Sequence, residues 1–376
     1  MPEGHLEIGA IVTLEKPEFN RLLVAIQEQG YETLGPTIQD DTIQYNRING
    51  LDDLPRGMTS KQDAGYYRLE YSGHNNYFDV TPGPQSWKGQ FFPPRTELLT
   101  LYRQNKRDWS AEKTQPNQPP TALIGVRPCE LAAIQVQDRV FLRNDLSDPL
   151  YLSRRERTFI LVANCLHPGG TCFCVSMGTG PRSHSGFDLS LTELNDVFLM
   201  EIGSEAGRAI LADLPWQPAA AFSLQAAERG FEYAIRHMGR TIPDVERLPE
   251  ALLNDLENQQ YDDVAKRCLS CTNCTQVCPT CFCWDVQEVN NLSGSEVRRE
   301  RVWDSCFNPM YTYVFGGNTR PNTRSRYRQW ITHKLASWYY QFGVSGCVGC
   351  GRCITWCPAG IDITAEANAL LSEVKA

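Results

Sequence analysis

The 376-residue sequence has no run of about 18 apolar residues, so no membrane-spanning helix is expected. Between Met1 and Val12 no cationic segment leads into a sustained apolar stretch, and no twin-arginine pair precedes one, so no export signal is read there. Nucleotide-binding signatures are missing as well. Gly-Lys followed by Ser or Thr, the core of a Walker loop, does not occur, and Gly178-x-Gly180 has Ser183 where a dinucleotide fingerprint needs its third glycine. Neither flavin nor NAD is therefore expected in this chain. Histidine is scarce, and the six that occur, His5, His74, His167, His184, His237 and His333, are scattered. A formal charge of -8 gives the surface no excess of positive charge for phosphates, so nucleic acid is not expected as a partner.

Cysteine is abundant. There are fifteen, and their spacing is more informative than their number. Cys268-x2-Cys271-x2-Cys274-x3-Cys278-Pro279 recurs as Cys347-x2-Cys350-x2-Cys353-x3-Cys357-Pro358. This is the spacing of a bacterial ferredoxin with two 4Fe-4S clusters, in which three thiolates of one run hold one cluster and the cysteine before proline reaches the other. One cluster is therefore assigned Cys268, Cys271, Cys274 and Cys357. Its neighbour is assigned Cys347, Cys350, Cys353 and Cys278. Zinc is the competing reading, since paired cysteines two apart also suit a tetrahedral ion. Zinc sites usually draw two short pairs from separate knuckles, whereas here one run supplies four cysteines, ends in proline and occurs twice. So many thiols at ligand spacing in a long chain point to a reducing compartment, the cytoplasm, and away from a disulfide framework.

The chain is long enough for two domains. Residues 1–242 read as an N-terminal α/β (or α+β) domain. Residues 243–376 read as a mainly helical ferredoxin-like domain, with a boundary near Pro243. Phe19, Leu22, Leu23 and Ile26 share a helical face that stops at Gly30, residues 66–71 alternate as a strand, and residues 105–120 read as a loop. Helices are expected over 225–238 and 248–266, the second leading into Cys268. Between the cysteine runs lies a basic insertion, at 284–345, with Arg298, Arg299, Arg301, Arg320, Arg324, Arg326, Arg328 and Lys334. It suits a solvated basic face, a docking surface for an acidic partner, or cations set beside anionic clusters.

A further set of cysteines is brought together by topology. Leu123, Ile124 and Val126 form an apolar strand that turns at Arg127-Pro128-Cys129 into a helix over 130–141. A second apolar strand, 159–164, ends at Cys165. Strand, helix and strand suggest a right-handed parallel unit, which puts Cys129 and Cys165 at one carboxyl edge, where open α/β sheets bind their ligands. The loop that follows carries Cys172 and Cys174. A third iron-sulfur site from Cys129, Cys165, Cys172 and Cys174 is expected; zinc and plain buried thiols are the alternatives. His167 stands near enough in sequence to support such a site through a hydrogen bond. Cys281, Cys283 and Cys306 remain, and Thr280-Cys-Phe-Cys283 repeats Thr171-Cys-Phe-Cys174.

Four segments, GVRPCELAAIQVQDRVF (125–141), CFCVSMGTGP (172–181), CLSCTNCTQVCPTCFCW (268–284) and SGCVGCGRCITWCPAGIDIT (345–364), together resemble one family. It is the iron-sulfur β subunit of cytoplasmic NiFe hydrogenases of the sulfhydrogenase type, with the similar A subunit of anaerobic sulfite reductase. The resemblance runs from about residue 65 to the end. It implies an electron-transfer subunit without catalytic residues of its own, working between a flavin/NAD(P)H-binding subunit and a catalytic subunit of NiFe hydrogenase or sulfite reductase type. An alternative is an enzyme reducing sulfur or polysulfide at the N-terminal metal site.

Overall fold

The computed structural model describes residues 6–143 and 146–373; His5 and the start of the segment read for an export signal lie outside the described residues. At its centre is an eight-stranded mixed sheet. From edge to edge the strands are Gln217–Pro218, Ile11–Glu15, Val197–Ile202, Leu189–Glu193, Thr158–Ala163, Thr121–Val126, Glu32–Gln39 and Thr42–Arg47. The four from Leu189–Glu193 to Glu32–Gln39 pair in parallel, and the outer strands pair antiparallel. The unit read from the sequence is present: Thr121–Val126 and Thr158–Ala163 are parallel neighbours, and helix Pro128–Phe141 lies in the connection between them. The helix starts two residues earlier than expected, which puts Cys129 in its first turn.

Alternation divides the two central strands between two layers. Ala122, Ile124, Phe159, Leu161 and Ala163 pack with Phe19, Leu22, Leu23 and Ile26 on one face. Leu123, Val126, Ile160 and Val162 pack with Leu131, Ile134 and Phe141 on the other. Strands covered on both faces read as continuous apolar runs, as these do. A separate core in the last third gathers Tyr261, Val264, Phe307, Trp330, Ile354 and Ile363, and Phe173 enters it from the N-terminal half.

Three expectations need correction. Trp109–Lys113, within the stretch read as a loop, is a strand on Arg95–Arg103; all five of its residues are exposed, so no apolar alternation marks it. The helix expected over 248–266 is two, Leu248–Asn254 and Gln260–Arg267, parted by a turn that Asn258 holds through bonds to Asp255 and to the amide of Gln260. The C-terminal part is not clearly mainly helical. Its insertion opens with the hairpin Trp284–Asn290 and Glu296–Trp303, and the second strand pairs antiparallel with Arg95–Arg103 to make a four-stranded sheet. Charges conceal this strand in the sequence, but across the sheet they pair, Arg299 with Glu288 and Arg95 with Glu300. Helix Thr323–Thr332 then passes into a π-helical turn, His333–Ser337, which carries the buried Lys334. Among the described residues no helix is long and apolar enough to cross a membrane.

Arg301 fastens the hairpin to the α/β layers. Its buried guanidinium pairs with Asp148, the N-cap of helix Pro149–Glu156, and lies 4.9 Å from the centre of the Phe92 ring and 5.9 Å from that of Phe141. Removing one partner of a largely buried pair strands the other charge. Arg301→Ala is expected to lower the unfolding free energy by about 3 kcal/mol in a denaturant titration, with faster amide exchange in the hairpin.

Candidate metal centres

Helix Gln260–Arg267 ends on Cys268, whose amide donates to the Val264 carbonyl at 2.9 Å. The chain turns through Ser270 and Thr272, both left-handed at φ 50 and 71, into the short turn Asn273–Gln276. Cys268, Cys271 and Cys274 thereby face a common space that Cys357 closes from the other run, with Cys353 beside it and Phe307, Tyr327 and Trp330 in the wall. The cavity holds about 450 Å³ of empty space, part of it open to solvent. The Ser270 amide donates to the Cys268 sulfur at 3.4 Å, and the Ile361 amide to the Cys357 sulfur at 3.3 Å. Such bonds favour thiolates. Burial, then the neighbouring Cys268, Cys357 and Cys271, push the Cys274 thiol well up. These thiols oppose one another's ionisation, and a cation among them removes the opposition.

The second expected set also comes together. Burial, followed by the charges of Cys347, Cys350 and Cys278, raises Cys353. Cys278 goes the other way, because a hydrogen bond from Cys281 outweighs burial and the charge of Lys334 adds to it. The Lys334 ammonium donates to the Cys278 sulfur at 3.1 Å, to Thr280 Oγ1 at 3.1 Å and to the Gly346 carbonyl at 3.2 Å. Lys334 is thus a cation set at a cysteine. Among the other cations of the insertion, Arg298, Arg299, Arg301, Arg324 and Arg328 pair with carboxylates, and Arg326 keeps its charge while donating to the carbonyls of Phe307, Arg320 and Pro321.

At the carboxyl edge of the parallel strands, Cys129, Cys165, Cys172 and Cys174 line one cavity, together with Cys350, Arg127 and Arg352; its empty space is about 400 Å³, part of it open to solvent. His167 contributes its backbone: its amide bonds the Cys165 sulfur, while its ring stands 3.8 Å from Asp79. Two buried guanidinium groups adjoin the cavity. Arg352 pairs with Glu130 at 2.6 Å, both fully buried, and donates to the carbonyls of Gly83 and Gln85. Arg127 donates to the carbonyls of Ala163 and Asn164 at 3.3 and 3.2 Å and of Val80 at 2.6 Å. Burial pushes Cys165 and Cys350 up, and these cations counter it, Arg127 for the first and Arg352 for the second. Neither arginine carried a role in the sequence reading, although Arg127 lies two residues before Cys129 and Arg352 directly before Cys353.

The second cysteine run is held from two sides. On one, the Phe173 amide donates to the Gly349 carbonyl at 2.8 Å, Thr179 Oγ1 to the Val348 carbonyl at 2.6 Å, and the hydroxyls of Thr171 and Thr355 meet at 2.7 Å. On the other, Thr280 Oγ1 donates to the Gly346 carbonyl at 2.6 Å. The repeated Thr-Cys-Phe-Cys segments therefore grip one loop between them. Gly349 and Gly351 have φ of 65 and 74, and a Cβ would come within 2.6 Å of the Cys174 backbone at the first and 2.5 Å of the Thr171 carbonyl at the second. Cys350, between these glycines, lines the N-terminal cavity while standing beside Cys278. Among the described residues no group of three or more His, Cys, Asp or Glu is gathered tightly enough for a single metal ion. A cubane, ligated at its corners, keeps its thiolates farther apart than one ion does.

A family model described as a 4Fe-4S dicluster domain matches residues 267–361, which include both cysteine runs and the insertion. Sulfhydrogenase 2 subunit beta of Pyrococcus furiosus is 30% identical over 353 residues, 92% of this chain and 93% of the relative. The chain belongs to the hydrogenase iron-sulfur β-subunit family. Likeness to this β-subunit family extends further than the motifs suggested: 353 residues exceed the span from 65 to the end, so it reaches into the first sixty residues. No solved structure matches the chain.

The grip on the second run is testable. Gly351→Ala places a side chain in a left-handed conformation that costs about 1–2 kcal/mol and against a backbone carbonyl that cannot yield without moving the loop. Chemical denaturation of the variant should show at least that loss, accompanied by faster alkylation of Cys172 and Cys174.

Proposed function

We propose that this chain is the electron-transfer subunit of a multisubunit cytoplasmic oxidoreductase, passing single electrons between a flavin/NAD(P)H-binding subunit and a catalytic subunit of NiFe hydrogenase type. The observation that carries this reading is that two cysteine-lined cavities, one with the first set and one with the N-terminal four, flank the second cysteine run, Cys353 lining the first and Cys350 the other. In this reading Cys268, Cys271, Cys274 and Cys357 hold one 4Fe-4S cluster, Cys347, Cys350, Cys353 and Cys278 a second, and Cys129, Cys165, Cys172 and Cys174 a third. Such clusters, when bound, take up and release one electron at a time.

The remaining work belongs to the protein. Aromatic and proline walls enclose all but the exposed rim of the cavities, amides of Ser270, Ile361 and His167 point at the sulfurs, and Lys334, Arg127 and Arg352 supply positive charge beside buried anionic sites. Cys271 and Leu269 are exposed at the rim of the first cavity, which gives a partner a short approach. The sulfhydrogenase relative, named as a subunit, supports a place in a larger complex.

Iron and acid-labile sulfide analysis of anaerobically purified protein, with EPR of the reduced state, tests the proposal. About twelve irons per chain are expected, against about eight if the N-terminal cavity holds no cluster. Zinc without sulfide would overturn the reading. Cys129→Ser is expected to remove one signal and about four irons and to leave the ferredoxin-type signals in place.

A further inference from the structure

Two buried lysines stand close to Cys278 without an acid to match them. Lys334, 5% exposed, enters from the π-helical turn His333–Ser337 and directs its ammonium to the Cys278 sulfur at 3.1 Å, to Thr280 Oγ1 at 3.1 Å and to the Gly346 carbonyl at 3.2 Å. Lys88, 4% exposed, opens the short helix Lys88–Phe91. Its ammonium lies 3.7 Å from the centre of the Trp303 ring and donates at 3.2 Å to the carbonyl of Gln276, two residues before Cys278. Among the described residues neither lysine forms an ion pair with a carboxylate. An unanswered charge is costly to take out of water, and two of one sign near one cysteine cost more, unless an anion is held between them.

We propose that Lys334, backed by Lys88, makes the second set, Cys347, Cys350, Cys353 and Cys278, the most readily reduced of the three cluster sites, so that the first electron to enter the chain comes to rest there. The inference rests on the reading above that this set holds a 4Fe-4S cluster. The step it governs is the gain of one electron at the site, delivered by the partner subunit, with no bond made or broken. Each added electron makes the site more negative, and a fixed ammonium bonded to a ligand sulfur favours the more negative form. Burial strengthens the effect, because the low local dielectric and the distance from solvent leave the charge poorly screened by salt. Hydrogen bonds to sulfur and net charge are the means by which a protein sets the potential of such a site.

The other two sets are provided for differently. At the first, Cys268 and Cys357 accept from the backbone amides of Ser270 and Ile361, and Arg267, next to Cys268, is matched by Glu366 at 2.7 Å. At the N-terminal set, Arg127 gives its hydrogen bonds to the carbonyls of Val80, Ala163 and Asn164, and the charge of Arg352 is matched by Glu130. Since Cys353 lines the first cavity and Cys350 the N-terminal one, the favoured site lies between the other two.

Anaerobic redox titration of the holoprotein with dithionite, followed by EPR, tests it. Iron and sulfide analysis of the same sample separates it from the reading it rests on: a native protein with fewer than about eight irons fails that reading, whereas the proposal is decided by potentials at full iron content. In the native protein one signal should appear at a higher potential than the rest. It should persist in Cys129→Ser, which removes the N-terminal site, and in Cys271→Ser, which alters the first. Lys334→Met should make reduction at that signal at least tenfold less favourable, about 59 mV for one electron, and leave the other signals in place. Lys334→Arg, which keeps the charge, should lie nearer the native value, and Lys88→Met should lower the same signal by less. If Lys334→Met sheds about four irons, Lys88→Met decides alone, since Lys88 donates to a carbonyl and not to a ligand sulfur. An unchanged potential in either methionine variant at full iron content, a shift carried by another signal, or loss of the first-reduced signal in Cys129→Ser or Cys271→Ser would overturn the proposal.

Discussion

The backbone of Val348–Gly351 passes so close to Thr171–Cys174 that neither Gly349 nor Gly351 has room for a side chain. Most of what positions the cysteines follows from this approach. The Thr171–Cys174 loop leaves the carboxyl edge of the parallel strands, so fixing it to the second cysteine run ties the sheet edge, with Cys129 and Cys165, to the ferredoxin-like part. Thr280 and Lys334 hold the same loop at Gly346 from the other side. A loop gripped on both sides cannot move without disturbing sites on either, so the three cysteine sets act as one packed unit.

Ionising that many buried thiols has an electrostatic cost, and the fold answers it with cations placed by secondary structure. Lys334 comes from a π-helical turn, a local irregularity that turns one extra residue inward. Arg127 precedes the first turn of helix Pro128–Phe141, and Arg352 lies within the second cysteine run itself. Arg352 is balanced by Glu130, which also accepts from the Tyr45 hydroxyl at 2.6 Å, so the cation is locked in place by a polar network reaching back to an edge strand. Buried charges of this kind are tolerated when their remaining hydrogen bonds are satisfied.

Much of this was legible in the sequence because it rests on short-range rules. Cysteine spacing within a run is a local property, and it is the basis of the two ferredoxin-type sets proposed above; the match of a 4Fe-4S dicluster domain to residues 267–361 agrees with the class of cofactor. The parallel pairing of Thr121–Val126 with Thr158–Ala163 followed from two apolar strands about a helix, and it carried the prediction that Cys129 and Cys165 share an edge. What stayed hidden was long-range. Trp109–Lys113 and Glu296–Trp303 are strands because partners lie beside them, and their exposed or charged residues give no periodic signal. The break at 255–259 depends on Asn258 bonding its neighbours. The roles of Arg127 and Arg352 could not be read either, since an arginine near a cysteine in sequence need not direct its charge toward the buried site; for Lys334, a place beside an anionic cluster was one of three readings of the basic insertion, and the sequence could not choose among them. Even the grip of the Thr-Cys-Phe-Cys segments was visible as a repeat but not as a contact.

The central claim is that one packed unit holds three iron-sulfur sites around Gly346–Cys353. Iron anomalous scattering from crystals of the anaerobic holoprotein tests it most directly. The account predicts three cluster-sized iron peaks, the third bounded by Cys129, Cys165, Cys172 and Cys174. Two peaks with none at the sheet edge, or a single-ion peak there, would contradict it.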